Sequence, residues 1–297
     1  MSSLIISGGT ADGAGTMPFL LDPILSDGDG SLMLIDVANW DAGVPAHNAA
    51  LRNIAYLQAT SLLGGTEADV AAIFKKVGDL PGGDYGFAER SGKGGLHVAP
   101  TQSEPIPYNN GYQIELPDSV MAHMIANPTH NFYFSQWRYL TRIAASTSPD
   151  GAKCFAEIQA ASEGGFLMLS HTSGQERPTT AVRIGRTILG VGRNIVGHTS
   201  FTTAGPYTAG TDPTPDAADY TTGKARSIAQ FGAVQRQNLF DPIRAALQSW
   251  IFYRFYIEDL TVSGRSYAEV DAINTALWTA ATGAGGRFNG DTFTAPA

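Results

Sequence analysis

Downstream of residue 111 the sequence consists of short apolar or alternating stretches separated by turn-forming residues. In an extended chain successive side chains point to opposite faces, so such stretches predict β-strands joined by turns. The segments that fit this pattern are residues 111–119, 130–144, 153–161, 164–174, 180–192, 227–235 and 244–262. A stretch rich in Pro and Thr at 204–225 interrupts the series and is predicted to be an exposed loop. A series of short strands of this kind indicates an antiparallel sandwich or jelly roll.

The last predicted strand, SWIFYRFYIED, combines aromatic and charged residues in one run. Alternation places Arg254 and Glu258 on one face beside aromatic neighbours, where the charges need not be buried. Past Asp259 the apolar positions change phase, which predicts a β-bulge near Glu258–Asp259. Because adjacent strand residues point apart, Glu258 and Asp259 are not expected to act as a catalytic pair on one substrate. We assign them structural roles.

A helix is predicted directly after this strand. Ser266 and Glu269 have the S-x-x-E spacing of a capping box, in which each side chain satisfies the other residue's backbone N–H, and their predicted role is structural. Apolar residues then recur at helical spacing and Gly283 is a natural stop, so the helix is expected over 267–281. The tail that follows, AGGRFNGDTFTAPA, is expected to be ordered only where another part of the protein holds it.

The chain before residue 106 has a different character. Residues 1–30 are rich in turn formers and predict an arm. The segment TEADVAAIFKKVG has acidic residues at its start and lysines near its end, which predicts a helix near 66–77. We therefore expect a mixed α/β, loop-rich docking region over 1–105 and a sandwich domain over 106–297.

Composition narrows the classes of function. The formal net charge of −8 disfavours binding to a nucleic-acid backbone. Cys154 is the only cysteine, which excludes an intrachain disulfide and a cysteine-based metal site. The sequence lacks the pattern of a signal peptide and a long uninterrupted apolar run, so we expect neither secretion by a leader nor a membrane span. Synthesis in a host cytoplasm is the expectation.

Sequence motifs give little sign of metal binding or catalysis. The six histidines are scattered without a metal-binding spacing and are expected to be surface or core residues. Asp27 and Asp29 alternate as in calcium loops, but no acidic residue follows at the twelfth position. A turn is the favoured interpretation of this stretch, with a bound calcium ion as the alternative. The chain also lacks a phosphate-binding loop and a G-x-S-x-G elbow, so no other cofactor is expected.

Several segments resemble, in the right order, the laminin-G-like, concanavalin A-type jelly rolls. GYQIELPDSV resembles the opening strand of that family, NFYFSQWRYLTR its central strand, and the closing strand with its S-x-x-E helix its last elements. The run YRFYIEDLTVSGRSYAEV, followed by GGRFNGDTFT, makes the whole chain similar to bacteriophage virion proteins, especially tail-associated ones. The resemblance implies a mainly β fold, a concanavalin A-like (LamG-type) antiparallel jelly-roll sandwich with a loop-rich N-terminal region and a short C-terminal helix.

The resemblance also implies a function. It points to a non-enzymatic structural component of a phage virion, at the tail tip or baseplate, that assembles with copies of itself and with other virion proteins. The alternative is a carbohydrate-binding module for a host surface glycan, with core or interface packing as the competing role for each of its candidate stacking platforms, Trp137, Tyr139, Tyr207 and Tyr220. A polysaccharide-degrading enzyme is a third interpretation, against which the lack of an E-x-D-x-E strand counts.

Overall fold

The structure of the chain is a computed structural model that describes residues 22–77, 85–106, 110–127, 130–143, 154–159, 167–172, 184–191, 226–234 and 247–296. The strands are Ser31–Asp36 (β1), Ala50–Leu51 (β2), Ala72–Val77 (β3), Gly86–Arg90 (β4), Leu96–Pro100 (β5), Asn110–Glu115 (β6), Phe132–Arg142 (β7), Cys154–Gln159 (β8), Leu167–Thr172 (β9), Ile184–Val191 (β10), Arg226–Ala233 (β11) and Ser249–Asp259 (β12). The α-helices are Tyr56–Leu63 (α1), Asp118–Ala126 (α2), Leu260–Ser263 (α3) and Tyr267–Thr282 (α4), with short 3-10 helices at Val37–Asn39 and Glu67–Val70.

The strands form two antiparallel sheets, so the prediction of a mainly β chain is confirmed. Sheet A has the order β10-β7-β12-β5-β4, with β1 also paired to β12, and sheet B has the order β2-β3-β6-β11-β8-β9. The seven strands predicted downstream of residue 111 are all present, as β6 to β12. Strand β12 lies at the centre of sheet A, where β7 flanks one side and both β1 and β5 flank the other.

The two sheets share one apolar core. Its centre is Trp250 of β12, which stacks on Phe231 of β11 at 4.2 Å between ring centroids and meets Phe155 of β8 edge-on at 5.1 Å. Buried aromatic side chains of this size bury large apolar areas, and their offset and edge-on contacts add to that stabilisation. These ring contacts join sheet A to sheet B across the core.

A third layer covers part of the other face of sheet A. Helix α4 places Trp278 edge-on to Trp137 of β7, and the tail after α4 stacks Phe288 on Tyr253 of β12 at 4.1 Å. Strand β12 is thus buried along its whole length. The expectation that its charges need not be buried is wrong, because Arg254, Glu258 and Asp259 are all buried.

The β-bulge predicted near Glu258–Asp259 is seen on one side of β12 only. The pairing of β12 with β1 shifts register between Ser31 and Met33 of β1, opposite Glu258 and Ile257. The pairing of β12 with β7 shifts register between Ser249 and Trp250 and between Phe252 and Arg254, and is then regular as far as Asp259. The change of apolar phase after Asp259 has another cause, because the strand ends there and α3 begins. The Asp259 side chain is the N-cap of α3 and accepts hydrogen bonds from the backbone N–H groups of Thr261 at 3.0 Å and Val262 at 3.1 Å.

The predicted C-terminal helix is confirmed and the predicted helix near 66–77 is wrong. Ser266 and Glu269 form the capping box of α4, and Gly283 follows its last residue. Thr66 caps only the short 3-10 helix, after which Ala72–Val77 is strand β3. The short apolar run fits helical spacing too, but pairing with both β2 and β6 stabilises it as a strand.

The predicted boundary at residue 105 does not separate two sheets. Strands β1, β4 and β5 belong to sheet A together with β12, and β2 and β3 belong to sheet B together with β6. Within the described residues, the chain before and after this point builds the same two sheets.

Candidate metal centre

Two histidines and one aspartate meet where the strand β12 ends. Asp259 is the last residue of β12, His123 lies in the last turn of α2, and His130 lies in the connection from α2 to β7. The N–H of His130 donates to the carbonyl of Asn127 at 3.0 Å. The next residue, Asn131, is tied to α3, because its N–H donates to Oγ1 of Thr261 at 2.9 Å. These two N–H groups hold His130 close to the start of α3.

Both imidazoles contact the same carboxylate oxygen. Nε2 of His123 lies 2.8 Å and Nδ1 of His130 lies 2.7 Å from Oδ2 of Asp259. The Asp259 side chain is fully buried, whereas the side chains of His123 and His130 are 11% and 24% exposed. The site is therefore closed on the carboxylate side and open to solvent on the side of the histidines.

Hydrogen bonding keeps the buried carboxylate ionised. Burial by itself raises the pKa of Asp259, but the hydrogen bonds from His123, from His130 and from the backbone N–H of Val262 outweigh it, so that the pKa lies below its ordinary value. Asn127 donates its side-chain N–H to the carbonyl of His123 at 2.8 Å and approaches Nδ1 of the same residue at 3.3 Å. Asn127 can therefore donate to Nδ1 in the His123 tautomer that carries its proton on Nε2.

This arrangement can act in two ways. As it stands, it is a hydrogen-bonded cluster that ties α2 and the connection after it to the start of α3. Imidazole nitrogen and carboxylate oxygen are also ligands for zinc and related ions, and the three donor atoms lie within 4.8 Å of one another. Within the described ranges, this is the one group of three or more such side chains that meets this criterion.

The calcium candidates Asp27 and Asp29 are not part of this cluster. Both side chains are exposed, and Oγ of Ser26 closes the loop around them by donating to the carbonyl of Gly28 at 2.8 Å. Among the residues that the structure describes, no third metal-ligating side chain joins the two aspartates. The stretch therefore has the geometry of a turn.

The two neighbouring carboxylates of β12 serve different clusters, as expected for adjacent strand residues. Glu258 binds Arg265, with 2.8 Å between Oε1 and Nε, and accepts a hydrogen bond from the hydroxyl of Tyr256 at 2.7 Å. Its partner is permanently charged, whereas the side-chain partners of Asp259 are imidazoles. Asp259 thus joins the candidate centre while Glu258 does not.

The described aromatic candidates for glycan stacking do not present free ring faces. Trp137 is only 1% exposed and donates its indole N–H to Asn274 at 2.9 Å, which corrects its candidacy as a platform because α4 covers it. Tyr139 is half-buried and packs against Phe293. The remaining candidates, Tyr207 and Tyr220, lie outside the described residues.

The sequence did not indicate the role of His123 and His130. Their spacing of seven matches none of the short metal motifs, and they lie 136 and 129 residues from Asp259 along the chain. Only the antiparallel pairing of β7 with β12, which aligns Phe132 with Asp259, brings the three together. No local signal in the sequence could have found the cluster.

The chain matches no protein-family model, and comparisons with curated proteins and with solved structures gave no significant match. Among the described residues, no helix has the length and apolarity needed to span a membrane.

Proposed function

We propose that this protein is a non-enzymatic structural component of a bacteriophage virion, at the tail tip or baseplate, which assembles with copies of itself and with other virion proteins. The observation that carries the proposal concerns the segment 253–294, which bears the sequence resemblance. Most of its charged residues are engaged in internal pairings that hold a strand, a helix and a tail together. The segment therefore supports a scaffold role.

The first set of pairings surrounds the middle of β12. Arg254 is 2% exposed and binds Asp22 through two nitrogens, at 2.7 and 2.8 Å, and Asp36 at 3.1 Å. Arg287, which follows α4, binds the same Asp36, with 3.0 Å between Nη1 and Oδ1. Both guanidinium groups lie over the ring of Trp137. These contacts join β1, β12 and the tail in one network around the buried side chains of Asp36 and Arg254.

The second set holds the tail against sheet A. Asp291 accepts hydrogen bonds from the hydroxyl of Tyr253 at 2.7 Å, from that of Ser91 at 2.6 Å and from the N–H of Lys93 at 2.7 Å. Further along, Thr294 donates both its N–H and its hydroxyl to Glu89, each at 2.7 Å. A segment without regular secondary structure is thus fixed across the turn between β4 and β5. Fixed tails of this kind suit a protein whose surfaces are buried in an assembly.

The proposal extends to the fold. We take the two sheets as a concanavalin A-type jelly roll because the chain returns to the centre of sheet A with its last strand, β12, beside β1, β5 and β7. Antiparallel strands from distant parts of the sequence lie side by side in such folds. An experimental structure whose strand order departs from that of concanavalin A-type jelly rolls would remove this part of the proposal.

The decisive experiment is mass spectrometry of density-gradient-purified phage particles, followed by immunogold labelling. The proposal expects the chain in the particles at a fixed stoichiometry, with label at the tail end. Absence of the chain from purified particles would overturn it. If the chain is absent and the full-length protein instead binds host polysaccharides on a glycan array, the carbohydrate-binding alternative is favoured.

A further inference from the structure

We propose that His123, His130 and Asp259 bind one divalent transition-metal ion of the zinc class, which fixes α2 and the connection after it to the end of β12. This inference is independent of the role in a virion, since it rests on the described side chains alone. The donor set is two imidazole nitrogens, Nε2 of His123 and Nδ1 of His130, and one carboxylate oxygen, Oδ2 of Asp259.

The chemistry of these donors selects the class of metal. Imidazole suits zinc, copper, nickel and iron, whereas calcium and magnesium prefer sites built from oxygen atoms alone. Two imidazoles and one carboxylate supply three protein ligands, which in zinc sites leave a position for water. The exposure of His130, at 24%, places that position on the side of the site that faces solvent.

The present distances are those of hydrogen bonds, and a small movement converts them to coordination distances. Oδ2 of Asp259 lies 2.7 and 2.8 Å from the two nitrogens. In a tetrahedral site with bonds of ~2.0 Å, the ligand atoms lie about 3.3 Å apart. The imidazoles must therefore withdraw by roughly half an ångström. Both histidine side chains are partly exposed, at 11% and 24%, so this withdrawal can take place toward solvent.

The carboxylate is already oriented for the task. Oδ1 of Asp259 is held by the N–H groups of Thr261 and Val262 at the start of α3, so that Oδ2 is left for the metal. In metal sites, groups that hydrogen-bond to a ligand fix the orientation of that ligand and tune the affinity for the metal. The Asp259 side chain is fully buried, so its negative charge gains from a cation that compensates it.

Metal binding sets the tautomer of His123. Coordination through Nε2 leaves the ring proton of the neutral imidazole on Nδ1. The amide nitrogen of Asn127 lies 3.3 Å from Nδ1 and donates to the carbonyl of His123 at 2.8 Å, so the amide must move away from Nδ1 when the metal binds.

The test is a zinc titration of the tag-free, full-length protein against a competing chromophoric chelator, with cobalt as a spectroscopic probe. We expect one high-affinity equivalent of zinc and an intense visible cobalt spectrum of a four-coordinate site. Mutation of a residue that only hydrogen-bonds to a metal ligand typically lowers metal affinity about 10–100-fold. His130→Ala and His123→Ala each remove a ligand itself, so each should weaken zinc binding by at least this factor. The matched control is His47→Ala, since His47 is exposed and lies outside the cluster.

A second set of variants separates binding from folding and from other ligands. Asp259→Asn keeps a cap for α3 while it removes the anionic ligand, and Cys154→Ser removes the one thiol of the chain. We expect Asp259→Asn to fold and to lose the cobalt spectrum, and Cys154→Ser to keep it. The proposal is overturned if zinc binds the wild type and His130→Ala with equal affinity, if the spectrum depends on Cys154, or if calcium raises the melting temperature as much as zinc does.

Discussion

Asp36 and Asp259 occupy equivalent local positions with different partners. Each is the last residue of a strand, β1 or β12, and each accepts hydrogen bonds as the N-cap of a short helix. Each is almost fully buried, with exposures of 2% and 0%. Asp36 is compensated by two arginines, Arg254 and Arg287, whereas the side chains that bind Asp259 are two histidines.

We call the contacts of Asp36 with Arg254 and Arg287 the permanent lock, and those of Asp259 with His123 and His130 the exchangeable lock. A guanidinium stays protonated at all ordinary pH values and has no lone pair to offer a metal. An imidazole can lose its proton, change its tautomer and coordinate a metal ion. The same strand-end design therefore yields a fixed structural joint at Asp36 and a candidate metal centre at Asp259.

The largest expected effect is the loss of the lock at Asp36. Burial alone would lower the pKa of Arg254, but Asp22 and Asp36 outweigh it and raise that pKa, so the charge is strongly held. Arg254→Met leaves Asp22 without its two bonds to an arginine and Asp36 with Arg287 alone, and should lower the free energy of unfolding by about 3–5 kcal/mol in urea denaturation. Arg287→Met is the matched control, because its side chain is 38% exposed, and should cost no more than about 1 kcal/mol. Equal losses for the two variants would contradict the assignment of Arg254 as the buried member of the network.

The next effect tests the exchangeable lock. Zinc at about 100 times its dissociation constant should raise the free energy of unfolding by ~2.7 kcal/mol, because it binds only the folded chain. Arg254→Met should gain the same increment from its lower baseline, whereas His130→Ala, with zinc binding weakened at least about 10-fold, should gain no more than about 1.4 kcal/mol. Denaturation curves with zinc and with a chelator provide the measurement. A gain in His130→Ala equal to that of the wild type would place the metal elsewhere.

The two locks also show what the sequence could predict. Strands β6 to β12 and the capping box at Ser266 follow from local alternation and spacing, which are properties of a few neighbouring residues. Strand β3 was missed because its stabilisation comes from pairing with β2 and β6. The metal candidate was missed for a related reason, since His130 and Asp259 meet only through the register of two strands distant in sequence. Contacts set by topology leave no local pattern.

A third pair, His97 and Glu89, also joins a histidine to a carboxylate, with 2.8 Å between Nδ1 and Oε1. The pH dependence of the free energy of unfolding tests this pair. Burial lowers the pKa of His97 below its ordinary value of 6.5. Burial alone would raise the pKa of Glu89, but hydrogen bonds from His97 and Thr294 lower it below 4.5. Both groups bind fewer protons in the folded state, so their stabilisation is complete above the ordinary pKa values and is lost as the pH falls through the lowered ones.

The expected result is a free energy of unfolding that decreases from near pH 6.5 downward, with a shallower decrease in His97→Gln, which cannot gain the proton. Thermal melts of both proteins across this range provide the measurement. Parallel slopes for wild type and His97→Gln would show that this pair does not contribute to the acid sensitivity.

The smallest expected effect on the free energy of unfolding comes from a helix cap that carries no buried charge. Ser266 caps α4 on the surface, where its N–H donates to Oε2 of Glu269 at 2.7 Å and its hydroxyl accepts from the Glu269 N–H at 3.3 Å. Ser266→Ala should lower the free energy of unfolding by about 1 kcal/mol, and Ser266→Asp, which retains a cap, by only a few tenths. Asp259→Ala removes a cap of the same kind together with the contacts to both histidines. Its loss beyond that of Ser266→Ala therefore measures the imidazole contacts, and equal losses in chemical denaturation would mean that Asp259 stabilises the fold only as a cap.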